Sequence, residues 1–119
     1  MNGISPQLQN QITQFQQVQQ QLQNVSTQKV QMEAQLRELQ RTLEELGKAT
    51  GDVYKSVGSL LMKVDDREAL KLDIEDSVET MDVRVKSLDR QEKSLREKYQ
   101  SLQETINKAM GNASAGAEQ

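Results

Sequence analysis

The run Asp52-Val53-Tyr54-Lys55-Ser56-Val57-Gly58-Ser59-Leu60-Leu61-Met62-Lys63-Val64 decides the fold. It is rich in β-branched residues and alternates, and Gly58-Ser59 is a two-residue turn signal with Gly first, as a type II′ hairpin requires. In that register Val57 faces Leu60, Lys55 faces Met62 and Val53 faces Val64 on one side. Ser56 with Leu61 and Tyr54 with Lys63 form the other. The first side is apolar at five of its six positions. An isolated two-stranded ribbon is marginal in water and leaves its edges open. It either folds onto its own helices or pairs with other chains, and two narrow helices already occupied with each other favour the second.

On both flanks the period changes from two to a heptad. Upstream, Ser5 is a candidate N-cap and Pro6 suits the first helical position. Apolar residues then fall at Leu8, Ile12, Phe15, Val18, Leu22, Val25, Met32, Leu36, Leu39, Leu43 and Leu46, with Lys29 as the polar exception. From Phe15 the steps alternate three and four, the spacing of a coiled-coil seam. A shorter step at Ile12–Phe15–Val18 is a local stammer. Ten of the seventeen residues from Gln7 to Gln23 are Gln. Such a tract is compatible with disorder, but the seam running through it argues for helix. Gly47, with Gly51 soon after, is the expected stop. Downstream, Asp65-Asp66-Arg67-Glu68 opens a second helix, with Asp65 as cap and Glu68 three residues on. Its seam is Leu70, Ile74, Val78, Met81, Val85, Leu88, Leu95, Tyr99, Leu102, Ile106 and Ala109, with Glu92 as its polar exception. Gly111 is the expected end. The sequence thus predicts helices over 7–46 and 66–110, a β-hairpin over 53–64 and a flexible tail over 111–119.

Folded antiparallel, the seams match when Leu46 faces Ile74, Leu39 faces Met81, Leu22 faces Tyr99 and Phe15 faces Ile106. Lys29 then meets Glu92, so one ion pair would set the coil register; the alternative is two side chains snorkelling from a wet seam. Glu92→Lys is expected to lower the melting temperature, and adding Lys29→Glu to recover part of the loss. A thermal melt without recovery removes the pairing. Each helix is expected to be about 60 Å long, with the hairpin at one end and both termini at the other. At that far end Leu8, Ile12, Phe15, Ile106 and Met110 gather as fraying core or as a contact surface for apolar ligands.

Composition closes off other classes. Only 34% of the 119 residues are hydrophobic and 3% aromatic, too few for a multilayer core but enough for a seam one side chain wide. The net charge of −3 offers no basic footprint for nucleic acid. With no Cys and no His there are no disulfides and no thiolate or imidazole chemistry. The carboxylate pairs Glu44-Glu45 and Asp65-Asp66 have no cavity-forming core around them, and no Gly-rich phosphate loop occurs. An enzyme, a cofactor and a metal are therefore not expected. Leu60-Leu61-Met62, the longest apolar run, is far too short to span a bilayer. The uncharged N-terminus does not read as a signal peptide, so the sequons at Asn24 and Asn112 read as chance and the expected location is cytoplasmic.

Taken together, Gln14-Phe15-Gln16-Gln17, Leu43-Glu44-Glu45-Leu46, Val53-Tyr54-Lys55-Ser56-Val57-Gly58 with Leu60-Leu61, Val64-Asp65-Asp66 and the closing Ala109-Met110-Gly111 resemble a prefoldin beta subunit of archaeal type. The resemblance covers nearly the whole chain. The central motif is its specific part, and one hairpin rather than two marks the beta form. It implies a mostly α fold, a long antiparallel two-helix coiled-coil hairpin whose single β-hairpin joins an intersubunit β-barrel. It implies a hexamer of two alpha and four beta subunits. Its function would be that of an ATP-independent chaperone, a holdase that captures unfolded client proteins at the coil tips and delivers them to a group II chaperonin. By position, Val53, Tyr54, Val57, Leu60, Leu61, Met62 and Val64 would serve subunit assembly. Leu8, Ile12, Phe15, Ile106 and Met110 would serve client binding, a weaker transfer because the family's tip contacts follow no fixed motif. A structural coiled-coil scaffold, or a homo-oligomer or filament built on the hairpin, is the rival reading.

Overall fold

The computed structural model describes residues 4–118, with side chains over 4–111. The expected lead-in before Ile4 and the last residue of the expected tail lie outside this range. The elements are α1 (Pro6–Lys48), β1 (Tyr54–Val57), β2 (Leu60–Lys63) and α2 (Arg67–Glu118). By contacts the chain divides into two compact units, Lys29–Ser87 and the remainder.

The unit outside Lys29–Ser87 pairs the first part of α1 with the last part of α2. Ser5 caps α1 as expected, its Oγ accepting from the Leu8 N–H at 3.0 Å. Every seam residue here is buried or half-buried, and the apolar residues Leu8, Val18 and Leu88 are buried. Two contacts fix direction and register. Phe15 stacks on Tyr99 with ring centroids 4.6 Å apart, and the Ser26 hydroxyl donates to Glu92 Oε2 at 2.7 Å. A residue later in α1 thus meets one earlier in α2, so the helices run antiparallel.

These contacts also correct the expected register. Within this unit Tyr99 lies beside Phe15 rather than level with Leu22. The offset is about half a heptad. A seam with alternating three- and four-residue steps looks nearly the same after such a slide, because apolar rows still face apolar rows. What differs is which large side chains meet. The slide joins the two rings, a stacked pair worth about 0.5–1.5 kcal/mol beyond burial.

The second unit, Lys29–Ser87, carries the hairpin. Its observed register is Tyr54↔Lys63, Lys55↔Met62, Ser56↔Leu61 and Val57↔Leu60, and the Val64 N–H extends it by donating to the Val53 carbonyl at 2.8 Å. Gly58 has φ +59, and among the described residues no non-glycine has positive φ. Ser59 therefore keeps negative φ, which excludes a type I′ turn and matches type II′. Val53 and Val64 are half-buried at the root, and all eight strand residues are exposed.

Both helix ends near the hairpin differ from expectation. Gly47 stays helical, and the left-handed residue is Gly51, at φ +88. What ends α1 at Lys48 is Arg67, whose guanidinium donates to the carbonyls of Ala49 at 2.7 Å, Leu46 at 3.2 Å and Gly51 at 3.5 Å. A cation on terminal carbonyls satisfies orphan acceptors at the negative end of the helix dipole. The cap of α2 is Asp66, not Asp65: Asp66 Oδ1 accepts from the Ala69 N–H at 3.0 Å. Asp66→Ala is expected to cost about 1 kcal/mol in a thermal or urea melt, with Asp65→Ala near neutral. Equal losses at both positions would contradict the assignment.

At its far end α2 runs through Gly111 to Glu118, where a flexible tail was expected. Gly costs about 1 kcal/mol against Ala inside a helix, and Ala113, Ala115 and Ala117 follow with no proline to break the ladder. Gly111 itself shows no left-handed φ.

Candidate functional site

The residues singled out from sequence form two surfaces, one in each unit. The first is the hairpin ribbon. Val57, Leu60 and Met62 are exposed on one side, Tyr54 and Leu61 on the other, and Leu61 is 75% exposed. Both sides are therefore open, and the second, which sequence alternation had not marked, carries Tyr54 and Leu61 among Ser56 and Lys63. At the root, Val53 and Tyr54 join Leu46, Leu70 and Ile74 in lining an open groove of about 390 Å³. The root is held by the Val64–Val53 bond, by Arg67 and by a Lys63–Asp52 ion pair at 3.7 Å. Of the seven residues assigned to assembly, five lie open and two, Val53 and Val64, are half-buried.

The second surface lies in the other unit. Ile12, Phe15, Ile106 and Met110 line a groove of about 410 Å³ together with Gln16, Gln19, Gln103 and Asn107. None of these lining residues is charged. The floor is apolar and the walls are side-chain amides, each able to donate and to accept. Met110 is exposed, and Ile12, Phe15 and Ile106 are half-buried. Leu8, expected among the contact residues, is buried instead and does not line the groove. Tyr99 supports it through its stack on Phe15, a role hidden from sequence because it depends on the half-heptad slide.

Of the two polar seam residues, Glu92 is 12% exposed and is engaged within its own unit by Ser26 and by Arg96, the latter at 3.5 Å. Lys29 is half-buried. Ser26 neighbours the seam residue Val25, and that adjacency is the one sequence signal that could have found it. Among the described residues no group of three or more acidic side chains is placed to hold a metal ion. No described helix is long and apolar enough to cross a membrane.

Two heptad helices joined by one exposed β-hairpin define a coiled-coil hairpin class of protein. The comparisons give that class its family. The prefoldin subunit family model matches residues 9–113. The crystal structure of the prefoldin beta subunit from Thermococcus strain KS-1 superposes with a TM-score of 0.79 at 36% identity, covering 92% of this chain and 96% of that one. A comparison with curated proteins finds no match. The chain belongs to the prefoldin family, as a beta-type subunit. Membership implies assembly with other prefoldin subunits and the chaperone-type scaffold of the family.

Proposed function

We propose that the chain is a holdase subunit that acts without nucleotide, metal or cofactor in the cytoplasm. Its hairpin joins those of other beta subunits and of an alpha-type partner in a hexamer of two alpha and four beta subunits. The assembly captures unfolded clients at the coil tips and passes them to a group II chaperonin. The observation that carries this reading is the ribbon, which exposes large apolar side chains on both sides. Fully burying one Leu or Met side chain is worth about 1.5–3 kcal/mol, so a chain that leaves five large side chains open gains much by sharing them. The uncharged terminal groove supports the second half of the proposal. Apolar floor and amide walls suit an extended chain that exposes apolar side chains and unpaired backbone together. One such groove binds weakly, and several on one assembly bind by avidity.

The test is suppression of aggregation when a chemically unfolded protein is diluted from guanidinium into buffer without nucleotide. The assembly of this chain with an alpha-type subunit is expected to suppress light scattering. Removing residues 1–11 and 110–119 together is expected to abolish most of that effect while the assembly stays intact. Full suppression after both truncations would place client binding elsewhere.

A further inference from the structure

Arg67 ties the start of α2 to the end of α1 around the hairpin by hydrogen bonds. Its guanidinium holds three carbonyls from residues 46–51, and the segment it spans contains the left-handed Gly51. Gly51 has φ +88, and the space where a Cβ would lie is open. The strand side chains are exposed, and at the root Val53, Tyr54 and Lys55 share an open groove with Leu46, Leu70 and Ile74. Beside that apolar root, the polar contacts that set the direction in which the ribbon leaves the helices are Arg67 to the α1 end, Lys63 to Asp52, and Val64 to Val53. Of these, only Arg67 reaches across to α1. Lys63 and Val64 bind residues of the hairpin's own lead-in.

We infer that Arg67 is a positioning residue for assembly: by clamping the α1 end it sets the angle at which the hairpin is presented to partner subunits. The clamp suits arginine specifically. A planar guanidinium has five donors in a fixed fork and reaches three acceptors at once, whereas a lysine ammonium on a flexible stem acts as a point charge. This role rests on the proposed assembly through the hairpin for its consequence, but not for its geometry.

The absence of cysteine from the sequence allows site-directed spin labels without background. Labels at Ser59→Cys, in the turn, and Ser77→Cys, on the exposed face of α2, report the hairpin angle in the full chain by pulsed electron resonance. In the Arg67 chain a narrow distance distribution is expected, and Arg67→Ala broadens it. Arg67→Ala also speeds amide exchange over residues 49–64 by roughly tenfold or more, as expected for losing hydrogen bonds to a charged group. Arg67→Lys falls between. Helix content by circular dichroism stays unchanged in both variants, which separates a clamp from general destabilisation. Mixed with an alpha-type subunit, the Arg67→Ala chain assembles less than the parent. Unchanged distances and exchange in Arg67→Ala would overturn the clamp, as would a collapse of helix content in both variants. Altered distances with assembly equal to the parent's would overturn the positioning role. If the parent itself does not assemble, the assembly reading fails while distances and exchange still decide the clamp.

Discussion

Leu61→Asp is expected to abolish assembly while leaving the chain folded. Leu61 is 75% exposed, so a carboxylate there meets only water in the isolated chain, and substitutions at such positions usually stay within about 0.5 kcal/mol. In a shared sheet the same carboxylate would be buried without a partner, at a cost of several kcal/mol for each copy. With several beta subunits in one assembly these costs multiply. Sedimentation velocity with an alpha-type subunit should show the variant at the rate of free subunits, with the circular dichroism of the parent. Assembly at the parent level would mean that the hairpin is not where the subunits meet.

Val18→Asp is expected to have the largest effect on the fold itself. Val18 is 2% exposed, and Val30, on the same helix, is 62% exposed. The two differ in whether the heptad places them on the seam. An unpaired carboxylate at Val18 loses apolar burial and must be desolvated or protonated, together about 3 kcal/mol or more. Against a typical total of about 5–15 kcal/mol that is a large fraction, and it should lower the melting temperature by ~10 °C or more. Val30→Asp should leave the melt unchanged. Equal losses at the two positions would contradict a one-row core.

This contrast shows why so much of the fold was legible in the sequence. A two-helix coil has one buried row, so each apolar step from Leu8 to Leu46 and from Leu70 to Ala109 is a direct statement about burial, and all of these residues are buried or half-buried. The hairpin was equally legible, because Gly58-Ser59 leaves one two-residue loop, and loop length sets register. The same regularity hid what depended on register between the helices. A repeating seam does not distinguish a half-heptad slide, so the Phe15–Tyr99 stack and the Ser26–Glu92 bond escaped it. Arg67 escaped for a different reason. Its acceptors are backbone carbonyls, which carry no residue identity, so no sequence pattern marks them.

The candidate surfaces divide in the same way. Alternation located the ribbon but undervalued its second side, since Leu61 and Tyr54 stand among the polar residues Ser56 and Lys63. At the termini the seam located the groove, but the burial of Leu8 and the amide walls of Gln16, Gln19 and Gln103 follow only from packing. The Gln-rich composition of early α1 then acquires a local meaning: it keeps the groove uncharged.

Native mass spectrometry of the full chain, alone and mixed with an alpha-type prefoldin subunit, tests the central claim that the hairpin is an unfinished sheet requiring other subunits. The mixture is expected to give a single hetero-hexameric mass of two alpha and four beta subunits. Free subunits only, with and without the partner, would contradict it.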